Sequence, residues 1–169
     1  PLYEIASELD LAISIHLGNG SFEIHDYYNR DTTFTKFKLV TMGTFHSLVF
    51  NGTPSRFPDL RWGFIEISAD WLPFMINDLR QRLAKRGKSL PDNVLAANRI
   101  YVTCQVEDDL PYVLKVAGED NLVIGTDYGH HDPSAEIDAI RLLREDNRVD
   151  AATVEKILEV NPRRFYGFD

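Results

Sequence analysis

Apolar positions along the chain fall into four short runs, at residues 12–17, 62–67, 99–104 and 121–126. Each is rich in β-branched or aromatic residues and ends in polar or turn-forming ones, which predicts buried strands. Between them the apolar spacing lengthens to a helical period. Residues 1–11 carry Ile5 and Leu9, followed by Ala12, and residues 34–50 form a long mixed apolar stretch. The clearest helix is predicted at 71–86. Asp70 is its expected N-cap, Pro73 falls in its first turn, Leu72, Met75, Leu79 and Leu83 form one stripe, and Gly87 stops it. A shorter helix is predicted after Asp108, with Tyr112, Val113 and Val116 apolar. Another begins at Pro133, capped by Asp132, with Ile137, Ile140 and Leu143 as its core face. The next is capped by Asp150 and turns Val154, Ile157 and Leu158 inward. Asn161-Pro162 is expected to end that helix and start a last turn at 163–166.

Strands alternating with helices predict an α/β fold with a parallel sheet. No linker or low-complexity segment interrupts residues 1–169, so the chain is read as a single domain. Two long connections stand out, 18–33 and 88–98. The first is aromatic and polar and directly follows a strand, a usual place for a site in an α/β protein.

Composition narrows the function classes. With 44% hydrophobic residues the chain can build a core. Its 18 basic and 26 acidic residues give a net charge of −8, which argues against nucleic acid as a partner. No apolar run is long enough to span a membrane. The single cysteine, Cys104, excludes an internal disulfide and suits a reducing cytoplasm. The chain opens Pro1-Leu2-Tyr3, without an initiating Met or a signal peptide, and reads as if entered within a longer protein.

In α/β barrels the chemistry sits at the C-terminal strand ends. These ends carry His16, Glu66, Cys104-Gln105 and Asp127. Strand parity puts Ser14 and His16 on one face, opposite Ile13 and Ile15. It likewise puts Val123, Gly125 and Asp127 opposite Leu122 and Ile124. If the apolar pairs pack on helices, His16 and Asp127 point into a common mouth, where imidazole and carboxylate suit a divalent metal. Spacing alone leaves other readings open: a hydrogen-bonding His and a turn-forming Asp. Glu66 sits in an apolar strand and needs a partner, either Arg61 or Arg99 in a salt bridge or a role as ligand or proton-transfer group. His130 and His131, just past Asp127, could form a solvated loop or contact a substrate. His25 is open to either role, and His46 is read as structural. Cys104 is read as a buried, inert thiol. No phosphate-binding glycine loop, Cys-x-x-Cys or His-Glu-x-x-His is present.

Four stretches carry a family resemblance. Ala12-Ile-Ser-Ile-His-Leu-Gly18 resembles the fifth-strand segment of the amidohydrolase-related metal-dependent hydrolases, in the branch of aminocarboxymuconate-semialdehyde decarboxylase and related aromatic-acid decarboxylases. Phe57-Pro-Asp-Leu-Arg-Trp-Gly-Phe-Ile-Glu-Ile-Ser-Ala-Asp-Trp-Leu-Pro73 is similar to the sixth-strand segment. Gly125-Thr-Asp-Tyr-Gly-His130 resembles the eighth-strand signature, with Gly129 where Pro is usual. Ile157-Leu-Glu-Val-Asn-Pro-Arg-Arg-Phe-Tyr-Gly167 resembles the closing segment.

The resemblance implies strands five to eight of a TIM-type (α/β)8 barrel, that is, the C-terminal half of a fold of about 250 residues. The N-terminal half, with its first-strand His-x-His motif, is absent from these residues. It implies one divalent metal ion, expected to be zinc, with His16 and Asp127 as ligands. Asp127, Glu66 and His130 are the implied catalytic residues, and His130, Trp71 and Tyr28 are expected to meet the substrate. Many members carry His where this chain has Glu66. The implied activity is a metal-dependent hydrolase acting on a carboxylated, aromatic or unsaturated small molecule. The alternatives are a non-oxidative decarboxylase, or an incomplete fragment that only binds a carboxylate. The open sheet edges of a half barrel imply a homo-oligomer.

Overall fold

The computed structural model describes residues 1–18, 34–131 and 135–168. Four parallel strands, β1 (Ala12–His16), β2 (Arg61–Ile65), β3 (Ile100–Cys104) and β4 (Leu122–Ile124), form one sheet in the order of the chain. The register sets His16 against Ile65, Phe64 against Val102 and Thr103 against Val123. All four predicted strands are present; β1, β3 and β4 are trimmed by a residue or more, and β2 starts one residue earlier and ends two earlier than predicted.

Side-chain alternation divides the sheet into two faces. Trp62, Phe64, Ile100, Val102 and Leu122 point to the helix layer and are fully buried. Ile13, Ile15 and Ile124 pack against the same core. On the opposite face Tyr101, Val123 and Phe165 form a second cluster with Ala12 and Ile65. Phe165 reaches that face from the last helix. It can lie there because residue 63 is glycine: a Cβ at Gly63 would overlap Phe165 Cζ and come within 3.0 Å of Cε2. Arg61, buried beneath, donates from Nε to the Phe165 carbonyl at 2.8 Å and pairs with Asp10 at 2.6 Å.

The helices in chain order are α1 (Leu2–Glu8), α2 (Val40–Phe50), α3 (Thr53–Arg56), α4 (Leu72–Ala84), α5 (Val94–Ala97), α6 (Leu110–Ala117), α7 (Ala139–Glu145), α8 (Ala151–Glu155) and α9 (Asn161–Tyr166). A π-helical turn, Phe34–Leu39, leads into α2. Leu72, Ile76, Leu79 and Leu83 of α4 are buried, close to the predicted stripe; Met75 only flanks the core. The Asp150 carboxylate caps α8, accepting from Thr153 N at 3.0 Å, and Val154 and Ile157 face inward as predicted. His46 pairs with Asp78 at 3.0 Å, a structural role.

Several expectations are corrected. Asp70 does not cap α4; its Oδ1 accepts instead from Asp109 N at 2.8 Å, tying two loops together. Asn161-Pro162 does not break the chain, because a second π-helical turn, Lys156–Val160, runs straight into α9. Asn161 is fully buried there, and its Nδ2 donates to the carbonyls of Glu119 and Leu122. Ile5 of α1 and Leu9 just after it face outward, as do Ile137 and Ile140; in α7, Ala139 and Leu143 are the buried residues. The helix expected from Pro133 begins only at Ala139, with Asp138 at its N-cap position, so Ile137 precedes it and the expected core face of Ile137, Ile140 and Leu143 is reduced to Leu143. Asp132, Pro133, His25, Tyr27 and Tyr28 lie outside the described residues. Among the described residues no helix is long and apolar enough to cross a membrane.

Candidate active site

Three strand ends converge at one edge of the sheet. His16 is the last residue of β1, Glu66 follows β2 directly, and Asp127 lies three residues past β4. Inner-face parity, which predicted the direction of His16, holds: Ser14 and His16 are exposed on the face opposite the helix layer. Glu66 and Asp127 both turn back toward this point because their backbones are left-handed, with φ 63° and 49°. Such values are uncommon for residues with a Cβ and mark positions held by their surroundings.

Glu66 is the hub. Its Oε2 lies 2.7 Å from His16 Nε2 and its Oε1 lies 3.7 Å from His130 Nδ1. His130 Nδ1 is also 2.7 Å from Asp127 Oδ1. The expected Arg61 and Arg99 are not its partners; Arg61 is engaged by Asp10. The side chains of Glu66 and Asp127 are only 10% and 13% exposed, whereas His16 and His130 reach solvent. On its other side His16 Nδ1 hydrogen-bonds the Leu17 carbonyl. That bond fixes the ring so that its other nitrogen, Nε2, faces the cluster.

The donor set fits a divalent cation. Donor atoms of Glu66, Asp127 and His130 all lie within 4.8 Å of one another. Asp127 Oδ2 is buried with no hydrogen-bond partner among the described residues. A buried carboxylate oxygen without a donor is costly unless positive charge meets it. His16 stands outside that trio and joins it through Glu66.

Beside the cluster is a cavity of about 90 Å³, lined by His16, Ile65, Glu66, Thr103, Cys104, Gln105, Gly125 and Asp127. Burial pushes the Cys104 thiol up to about 12, with the nearby Asp108 charge adding to the effect, so the thiol is inert as expected. Trp71, expected at the substrate, packs edge-on against Phe45 and Phe64. Its Nε1 donates to the Ser68 carbonyl at 2.7 Å. Its ring and its one donor are therefore spent on the core and on the loop after β2.

Two residues missed from the sequence hold the site in place. Thr103 Oγ1 accepts the backbone N–H of Glu66 at 2.7 Å, fixing its left-handed turn. Asp108 accepts from Ala69 N and Gln105 N, each at 2.8 Å, and from the Ser68 hydroxyl. One buried carboxylate thus staples the loop after β2 to the loop after β3. Thr103 carried a signal, being a polar residue on the same inward parity as His16. Asp108 carried none, because its partners Ser68 and Ala69 lie 40 and 39 residues away on another loop.

The family model described as Amidohydrolase matches residues 1–168. Among solved structures, the chain is 18% identical to 5-carboxyvanillate decarboxylase from Sphingomonas paucimobilis, with TM-score 0.76, covering 99% of this chain and 52% of that one. It is 19% identical to 5-carboxyvanillate decarboxylase from Novosphingobium aromaticivorans in complex with manganese, with TM-score 0.77, 99% and 51% coverage. It is 20% identical to an amidohydrolase from Mycobacterium avium subsp. paratuberculosis, with TM-score 0.75, 98% and 44% coverage. The chain therefore spans about half the length of the solved structures it matches. Comparison with curated protein sequences gives no significant match. Matched by the family model over nearly its whole length, the chain belongs to the amidohydrolase family.

Proposed function

We propose that these residues form strands five to eight of an eight-stranded barrel. We further propose that the whole protein is a metal-dependent hydrolase of a carboxylated, aromatic or unsaturated small molecule. The observation that carries the reading is the convergence of His16, Glu66, Asp127 and His130 at the C-terminal strand ends, with Asp127 Oδ2 buried and unpartnered.

His16 Nε2 and Asp127 Oδ2 would hold the ion. Two carboxylates beside imidazole accept manganese as readily as the expected zinc, and manganese is the ion in two of the similar solved structures. When bound, such an ion supplies Lewis-acid polarisation and an acidified water. The remaining steps belong to the chain. Asp127 takes a proton from the attacking water. His130, within 2.7 Å of Asp127 and reaching solvent, carries that proton to the leaving group or to bulk water. Glu66 fixes His16 and presents its other oxygen to His130, which keeps the relay aligned. The apolar lining from Ile65, Cys104 and Gly125 keeps the pocket dry beside the charged cluster.

Non-oxidative decarboxylation is the second reading, favoured by the names of the similar structures, which act on carboxylated aromatics. In that case His130 would return a proton to the carbon that loses CO₂. Incubating the longer gene product with aromatic and unsaturated carboxylic acids separates the two. Hydrolysis yields a new hydroxyl or carboxyl without CO₂, decarboxylation yields CO₂, and no turnover across the panel leaves only a binding role.

A further inference from the structure

A second concavity lies at the opposite end of the sheet from the His16–Glu66–Asp127 cluster. It is an open groove of about 470 Å³ whose walls include Arg99, Asp120, Asn121 and Arg164. Arg99 immediately precedes β3, Asn121 immediately precedes β4, and Arg164 belongs to α9. The groove therefore sits at the N-terminal strand ends, away from the chemistry assigned above. We propose that it binds a small oxyanion that carries a donor of its own, the chemistry shared by a hydrogen phosphate group and a hydroxycarboxylate. The site depends neither on the metal nor on the reaction.

Three observations carry it. The guanidiniums of Arg99 and Arg164 have no ion pair, hydrogen bond or aromatic partner among the described residues. By contrast Arg163, next in the chain to Arg164, pairs with Glu159, and Arg61 pairs with Asp10. The chain carries 26 acidic residues against 18 basic ones, so acidic partners are in excess. Two guanidiniums left over in one groove need another explanation. Each presents a planar fork of N–H donors that fits two oxygens of one anion.

Secondly, Asn121 is 5% exposed, and its side-chain amide has no hydrogen-bond partner among the described residues. A buried amide with its donors unused is costly. What remains accessible of Asn121 opens on the groove. A ligand oxygen there takes the N–H donors that the described chain leaves unmet.

Thirdly, the bases of these side chains are fixed. Arg99 is held left-handed, with φ 50°. Its N–H donates to the Ala96 carbonyl at 3.1 Å, and its carbonyl accepts from Trp62 N at 2.9 Å. The Asn121 carbonyl accepts from Val102 N at 3.0 Å. Arg164 adjoins the buried Phe165. Binding then orders only the outer lengths of two arginines, which limits its entropic cost.

Asp120 selects the kind of anion. Its carboxylate lines the same groove and meets Lys156 Nζ at 2.8 Å. A carboxylate repels a bare anion but accepts from a hydroxyl. An anion that presents oxygens to the guanidiniums and an O–H to Asp120 satisfies both.

The test is calorimetric titration of the full gene product with sodium phosphate and, separately, with malate. Succinate serves as the dicarboxylate without a hydroxyl, and sodium chloride at matched ionic strength as the blank. The protein is first dialysed against a chelator, so that no metal at the strand ends takes the anion. Arg99→Asn removes the guanidinium while tolerating the left-handed backbone, and circular dichroism checks that each variant is folded. One site is expected, with Arg99→Asn and Arg164→Ala each weakening binding by roughly fivefold or more and the double variant by roughly twentyfold or more. Succinate should bind at least about fivefold more weakly than malate. Asp127→Asn should leave the affinity unchanged. The anion should also raise the thermal midpoint of the wild type but not of the double variant. Tighter binding of phosphate identifies the ligand as a phosphate group, and tighter binding of malate identifies it as a hydroxycarboxylate.

Neither heat above the blank nor a shift in midpoint at millimolar phosphate or malate overturns the proposal. So does binding that survives in the double arginine variant or is lost in Asp127→Asn. Succinate binding as tightly as malate overturns the role given to Asp120, and with it the ligand class.

Discussion

The backbone N–H of Glu66 donates to the side-chain hydroxyl of Thr103, 37 residues further along the chain, at 2.7 Å. This bond joins the ends of two neighbouring strands and decides where the Glu66 carboxylate points. Thr103→Val keeps the shape and removes the acceptor. Leaving that N–H unpaired should cost about 1–3 kcal/mol of stability. Losing the orientation of Glu66 should weaken metal binding by roughly 10–100-fold, and Thr103→Ser should restore it. Equal metal affinity in Val and Ser variants would show that the bond matters only for folding.

Asp108 gives a prediction about pH. Burial raises its carboxyl above the ordinary 3.8, against hydrogen bonds from Ser68, Gln105 and Ala69, while the charge of Asp70 adds to the rise. The folded state therefore holds this proton more tightly than the unfolded state. Its contribution to stability is greatest below 3.8 and falls as pH rises through the raised value. Asp108→Asn removes that titration while still accepting from both N–H groups. Its stability relative to wild type should therefore improve as pH climbs from below 3.8 toward neutrality. Urea unfolding at a series of pH values measures the difference, and a trend of opposite sign would refute the assignment. Asp108→Ala should instead lose about 2–6 kcal/mol, two unpaired N–H groups at about 1–3 each.

Gly63 is required by Phe165. A methyl group at residue 63 would collide with a ring that is itself 1% exposed and packed against Tyr101. Gly63→Ala should destabilise the protein by about 1–3 kcal/mol, the usual cost of overpacking. Pairing it with Phe165→Leu should recover part of the loss. A thermally neutral Gly63→Ala would mean the last helix is not seated on the sheet.

Cys104 should resist alkylation in the folded protein. Its thiol is almost fully buried and is pushed up to about 12. Iodoacetamide at neutral pH should label it only at the rate at which the chain opens, and urea should speed labelling in step with unfolding. Rapid labelling under native conditions would contradict the burial.

Period and parity made much of this legible in the sequence. The alternation in 12–17 correctly sent His16 to one face and Ile13 and Ile15 to the other. The cost of burying Glu66 correctly demanded a partner, and His16 is one. The contacts that aim the site were hidden, because Thr103 and Asp108 act on residues about 40 positions away in neighbouring loops. Local pattern likewise assigned Asp70 to a cap, when a longer-range N–H from Asp109 competes for the same oxygen. Ile5, Leu9, Ile137 and Ile140 show the limit of periodicity. It identifies an apolar face but not what covers it.

The central claim is that a divalent ion is held at these strand ends through Asp127, and metal content tests it most directly. Emission spectroscopy on purified wild-type protein and on Asp127→Asn, both dialysed against the same trace-metal buffer, gives the comparison. The account predicts close to one equivalent of a divalent metal in the wild type and less than a tenth of that in Asp127→Asn. Equal metal content in the two proteins would contradict it.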